Sequence, residues 1–222
     1  MKIIIFFFKI NKIGKILIIL FLMIIYYNSN NQYNSNLTFS KIKDENNFNF
    51  NFDYYNFQRE NINNRIKQLA NYELTQKETY FLNGIIRKLK PKNCIEIGTS
   101  SGGSAILILN AIKDINDSIL VSMDLNNKFY KNDSLNTGYR VKTYFSNLAN
   151  KWKLFTGDQP HKFLDKLKMK FDFLFLDTVH ASPGELINLI EILPFLNEKA
   201  IIVLHDINYH NLLINKLLLF LL

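Results

Sequence analysis

The stretch Glu96-Ile97-Gly98-Thr99-Ser100-Ser101-Gly102-Gly103-Ser104 (EIGTSSGGS, residues 96–104) decides how this chain is read. It closes an apolar run of strand length, Asn93–Ile97, and opens another, Gly103–Lys113, whose length suits a buried helix. Glycines at 98 and 102 let the backbone turn tightly and approach a ligand, and the first amides of a helix have no intrahelical partner. The spacing is not the dinucleotide fingerprint G-x-G-x-x-G, because one residue too many separates Gly98 from Gly102. A nicotinamide-dependent oxidoreductase is therefore the weaker reading, and a merely tight strand-to-helix turn is the bland one.

Outward from this turn, strand and helix patterns alternate. Thr75 with Glu78 reads as a capping box before an apolar helical pattern at 81, 82, 85, 86 and 89, which Pro91 ends. Strands are expected at Asn93–Ile97, Ile119–Asp124, Trp152–Thr156, Phe171–Asp177 and Ala200–Leu204. Helices are expected at Gly103–Lys113, Tyr139–Asn150, Pro160–Lys168 and Pro183–Leu196, the last with Ser182 as its N-cap. The runs at 171–176 and 200–204 are almost continuously apolar, as parallel strands covered on both faces must be. The pattern predicts an α/β fold with a doubly wound, mostly parallel sheet.

Ligands in such sheets sit beyond the carboxyl ends of the strands, beside the switch in strand order. Chemistry-bearing residues do end these strands. Asp124 closes the second, where a carboxylate can accept both hydroxyls of a ribose. Asp158 follows the third, where it can meet an adenine amino group or simply cap the next helix.

These features together resemble the class I S-adenosylmethionine-dependent methyltransferases, and most closely the small-molecule O-methyltransferase and cephalosporin-hydroxylase-like groups. Cys94–Ala105 matches their E-x-G-T-x-x-G-x-S opening, while residues 171–180 and 201–206 look like their fourth and fifth strands. The resemblance covers roughly residues 74–210. It implies S-adenosyl-L-methionine as cosubstrate, with Glu96, Gly98, Thr99, Ser100, Gly102 and Ser104 holding its methionine part, Asp124 the ribose and Asp158 the adenine edge. It further implies that Asp177, Asp206 and His205 could converge on Mg²⁺, and that His180 with Asp177 could serve catalysis, His180 as general base. Metal-free relatives also carry an acid at the position of Asp177, and Asp206 is followed by Ile207 where the metal-dependent catechol-type members have Asn. Methyl transfer to a small hydroxylated acceptor is the expected activity. The alternative is a non-catalytic, truncated and membrane-associated remnant of the fold.

The ends of the chain complicate the picture. The family sheet carries two further edge strands, yet the sequence closes on an apolar run, Asn211–Leu222 (NLLINKLLLFLL), which reads as a helix or part of one. The domain is therefore expected to lack its last edge strands and to self-associate through an open sheet edge or this C-terminal helix. Residues 1–27 are apolar and basic. Their uninterrupted run of 12 residues, Ile16–Tyr27, spans about 18 Å as a helix against roughly 30 Å of hydrocarbon. A membrane-surface or buried segment (residues 13–27) is preferred over a true anchor, within a cytoplasmic protein. Residues 28–64 hold 13 asparagines in 37 positions and read as a linker, leaving 65–222 as the domain.

The formal charge is +8, from 27 Lys and Arg against 19 Asp and Glu. No basic run interleaved with aromatics stands out, so nucleic acid is not an expected partner. Cys94 is the only cysteine, which excludes an intrachain disulfide and a paired-cysteine zinc site.

Overall fold

A computed structural model describes residues 4–7, 62–178 and 184–205. In chain order its elements begin with strand β1 (Ile4–Phe7), helix α1 (Asn64–Ala70) and helix α2 (Gln76–Leu89). Strand β2 (Asn93–Ile97), helix α3 (Gly103–Ile112) and strand β3 (Ile119–Asp124) follow. A small hairpin, β4 (Lys128–Phe129) and β5 (Asn132–Asn136), leads into α4 (Tyr139–Tyr144) and a 3₁₀ turn (Ser146–Lys151). The chain continues through β6 (Trp152–Thr156), α5 (His161–Leu167), β7 (Phe171–Leu176), α6 (Gly184–Ile192) and β8 (Leu196–Leu204).

The main sheet has the order β1-β8-β7-β2-β3-β6. Strands β6, β3, β2, β7 and β8 run parallel, and β1 lies antiparallel on the outer side of β8. The chain builds outward from β2 through β3 to β6, then returns to β7 on the other side of β2. The switch in strand order therefore falls between β2 and β7, where the loops after the two strands diverge.

Side-chain alternation divides the core in two. Cys94, Leu120, Phe173, Phe175, Ile201 and Val203 face α2 and α3, whereas Ile95, Ile97, Val121, Leu174, Leu176 and Ile202 face the α5–α6 side. Every residue of α3 is buried, which explains its apolar sequence GSAILILNAI. Burial on both faces is what makes the strand runs continuously hydrophobic.

Local signals explain most boundaries. The Thr75 hydroxyl caps α2 and the Glu78 carboxylate reaches back to the Thr75 amide, forming the expected box. Helix α6 stops at Ile192, short of the expected Leu196, and a 3₁₀ turn (Leu193–Phe195) replaces its last turn. Pro194 has no amide to donate, so the α-helical ladder cannot continue past it. The helix expected over Tyr139–Asn150 is likewise broken into α4 and a 3₁₀ turn at Phe145. Residues 179–183, with the expected cap Ser182, lie outside the described residues.

The expectation of an uncovered last strand is overturned. Ile4 pairs with Leu204 and Phe7 with Ile201, so β1 takes the antiparallel edge. Part of the apolar N-terminal segment is thus a strand. Its run of isoleucine and phenylalanine has high β propensity, and the unpaired backbone groups of β8 supply the partner. Residues 8–61 and the C-terminal run 206–222 lie outside the described residues. Among the described residues, no helix is long and apolar enough to cross a membrane.

Candidate active site

A cleft of about 790 Å³ opens at the carboxyl ends of the parallel strands. Its floor is Ile97, Gly98, Thr99 and Ser100 after β2, Met123 and Asp124 at the end of β3, and Asp177 and Thr178 after β7. Tyr72 and Glu73 from the turn before α2 form one wall. Gln159 and Pro160 after β6 and the face of α6 that carries Ile187, Asn188 and Glu191 form another. The hairpin residues Lys128, Tyr130 and Lys131 stand at its mouth.

The glycine turn is held from several sides. Gly98 has φ +90°, and a Cβ there would stand 1.8 Å from the carbonyl oxygen of Asp177, so only glycine fits between β2 and β7. The Asp124 Oδ2 accepts the amides of Thr99 and Ser100, both at 2.9 Å, while its Oδ1 accepts the Asn126 amide at 2.9 Å. Glu73 accepts the amides of Ser101 at 2.8 Å and Gly103 at 3.0 Å through separate oxygens. The amides of Gly138 and Arg140 in turn bond the Ser100 and Ser101 carbonyls. The amides of the turn and helix start, left without intrahelical partners, are therefore partly taken by two carboxylates of the chain itself.

Glu96 lies beneath the turn. It is fully buried and does not line the cleft. Its oxygens accept the hydroxyls of Ser104 at 2.5 Å and Ser122 at 2.7 Å, and the Trp152 indole donates to Ser122 at 2.9 Å. Burial outweighs these two hydrogen bonds and pushes the Glu96 carboxyl up to about 8. At neutral pH this group is mostly protonated, and its place is structural support between β2, β3 and α3.

On the opposite side, His205 follows β8 and is 2% exposed. Its Nδ1 lies 2.9 Å from Asp177 Oδ1 and its Nε2 3.4 Å from Glu78 Oε2. Burial raises the Glu78 carboxyl, but hydrogen bonds from His205 and from the Thr75 amide and hydroxyl, with the charge of His205, hold it below its ordinary value. Both imidazole nitrogens thus face carboxylates, which leaves His205 no ring nitrogen directed at a shared cation. Among the described residues no group of three His, Cys, Asp or Glu side chains could hold a metal ion. The donor set in view does not fit Mg²⁺, and Asp206 lies outside the described residues. His180 lies outside them as well.

The structure brings Gly98, Thr99, Ser100, Ser104, Asp124, Asp177 and His205 to one cleft. Gly102 shapes the turn at φ +97° without lining the cleft. Asp158 is exposed and bonds the next amide, that of Gln159, at 2.8 Å, so Gln159 and Pro160 line the wall in its place. Sequence reasoning missed Tyr72, Glu73 and the hairpin. No periodicity marks a carboxylate in a turn that folds back onto a helix start 28 residues away, and the hairpin strands are too polar to look like strands.

Comparison with known proteins agrees with this architecture. Residues 95–207, just over half of the 222-residue chain, match the model of a methyltransferase domain, and the protein belongs to that family. Solved structures with the same fold include TomG from Streptomyces achromogenes, an O-methyltransferase involved in tomaymycin synthesis and crystallised with S-adenosylmethionine, at a TM-score of 0.51 and 18% identity. The match covers 64% of this chain and 65% of that one. The S-adenosylhomocysteine-bound methyltransferase PaMTH1 from Podospora anserina aligns at a TM-score of 0.55 and 18% identity, covering 82% and 77% of the two chains. No curated protein sequence matches the chain.

Proposed function

We propose that the cleft binds S-adenosylmethionine and that the protein transfers its methyl group to a hydroxyl of a small acceptor. The observation that carries this reading is the Gly98 turn, pressed against Asp177 on one side and tied to Asp124 on the other, at the switch point of the sheet. The cleft volume lies within the range of small-ligand sites. Its inner lining is acidic, with Glu73, Asp124 and Asp177, which suits a ligand that carries a sulfonium and an ammonium. Buried hydroxyls of Ser100 and Thr178 line it with no partner among the described residues.

Asp124 would take the ribose hydroxyls on lone pairs left beside its amide bonds. Leu125, 53% exposed, and Pro160 would flank the adenine, with Gln159 at its edge. The bound cosubstrate supplies a methyl group made electrophilic by its sulfonium. The chain's own work is to align the acceptor oxygen with that carbon, keep water out and receive the acceptor's proton. His180, three residues past Asp177, is proposed for the proton, while Asp177 borders the place where the acceptor would lie.

Calorimetric titration with S-adenosylhomocysteine tests the reading. Binding is expected, and Asp124→Asn should weaken it by about tenfold or more, since the charge is lost and one carboxylate oxygen becomes an NH2 donor set against backbone N–H. No heat and no thermal shift at millimolar ligand would remove the proposal. Methyl transfer to a panel of hydroxylated small molecules, followed with a labelled methyl group, tests the activity; His180→Ala should abolish turnover and keep binding.

A further inference from the structure

We propose that Lys131, at the tip of the β4–β5 hairpin, together with Glu73 forms a clamp for the zwitterionic amino-acid end of the cosubstrate. This rests on the S-adenosylmethionine reading above and assigns the part of it that the glycine turn leaves open.

A free α-amino acid group needs an anion for its ammonium and donors for its carboxylate. Helix-start amides commonly supply such donors. Here Glu73 accepts those of Ser101 and Gly103, and Asp124 accepts those of Thr99 and Ser100. Four donors of the turn are therefore already matched to negative charge, and a second carboxylate placed on them would meet repulsion from both acids. The carboxylate must find a cation elsewhere along the cleft. Among the described lining residues, the lysines are Lys128 and Lys131, both on the hairpin. Lys128 donates to Asn136 Oδ1 at 2.9 Å within the hairpin. Lys131 is held over the mouth instead, its ammonium 4.8 Å from the Tyr72 ring and 5.2 Å from the Tyr130 ring.

The aromatic pair gives Lys131 a defined position rather than a free swing. Tyr72 is itself backed by Arg140, whose guanidinium sits 4.0 Å from its ring centre and donates to the Leu69 carbonyl at 2.7 Å. Phe129, buried next to Tyr72, Tyr130 and Tyr139, seats the hairpin on the same cluster. Hydrogen bonding to Tyr130 and, in smaller part, the charge of Glu73 hold the Lys131 ammonium above its ordinary value, so it is charged throughout the physiological range. Glu73 follows Tyr72 directly and lines the same wall. Each of its oxygens accepts one amide and keeps further lone pairs for an ammonium. Anion and cation thus line the same cleft, close enough for the charge of Glu73 to act on Lys131, the arrangement that an amino-acid zwitterion fits.

The test compares S-adenosylhomocysteine with 5′-methylthioadenosine, which keeps the nucleoside and thioether but lacks the amino-acid group. The full chain should bind the first more tightly. Lys131→Met, which keeps the stem, should weaken S-adenosylhomocysteine by about fivefold, the size of an exposed ion pair, and leave methylthioadenosine unchanged. Lys131→Glu should weaken it further, and Lys128→Met should leave the ratio of the two affinities as it is. An unchanged ratio in Lys131→Met, or equal loss of both ligands, would overturn the clamp while the cosubstrate reading stands. If neither ligand binds the unaltered protein, that reading falls and the clamp falls with it.

Discussion

Gly98 is the residue at which sequence and site meet most directly. A methyl group there cannot coexist with the Asp177 carbonyl 1.8 Å away, and φ +90° is already unfavourable for any side chain. Gly98→Ala should therefore lower stability by at least about 2 kcal/mol and abolish S-adenosylhomocysteine binding, which chemical denaturation and calorimetry would show. Glu96 makes a different prediction. In the fold it titrates at about 8, above the ordinary carboxyl value of 4.5, so between these limits the unfolded chain releases a proton that the fold keeps. The stabilisation is complete below about 4.5 and is lost as the pH rises toward 8. Glu96→Gln should flatten the decline in melting temperature between pH 5 and 8, and an unchanged slope would show that Glu96 is ionised in the fold. The glycines and Asp124 were legible because they end a strand or form the turn after it. The role of Glu96 was not, since a carboxylate at the end of a strand can point either into the cleft or beneath it, and only Ser104 and Ser122 show which.

Among the elements, α2 was read from its capping box, the helical spacing of its apolar residues and the proline after it, and α3 from its unbroken apolarity. The box at Thr75 invites a direct measurement. Thr75→Ala removes the hydroxyl that both caps the Glu78 amide and donates to the Glu78 carboxylate. It should cost about 1 kcal/mol, seen as a lowered denaturant midpoint with an unchanged slope. The cap has a second consequence, because Glu78 also faces His205 and so links the start of α2 to the cleft wall. The β4–β5 hairpin escaped the sequence reading entirely. Its second strand, Asn132–Asn136, is mostly exposed and has no apolar alternation, while Phe129 on the first strand is buried. Its fold is decided by the aromatic cluster it lands on.

Over the whole molecule, a doubly wound, mostly parallel sheet was implied by the alternation of strands and helices, but its edge was not. Strand β1 lies at the opposite end of the chain from β8 and covers the flank expected to be open. Removal of residues 1–8 should bare the backbone groups of β8 and promote self-association, detected as a concentration-dependent mass in light scattering. The melting temperature should fall by several degrees, given about 2–4 °C per kcal/mol for a chain of this length. A deletion variant with unchanged mass and stability would show that β1 contributes nothing to the sheet.

The sequence alone determined the parallel α/β sheet, the glycine turn after β2 and the acids at the strand tips, because these follow from local periodicity and from the geometry of neighbouring residues. Tertiary structure decided which carboxylates face the cleft, which lie under it, and what closes the sheet edge. Those outcomes depend on residues distant in the chain, such as Glu73 against Ser101 or Ile4 against Leu204, and no short-range pattern encodes a contact that forms only when the sheet brings its parts together.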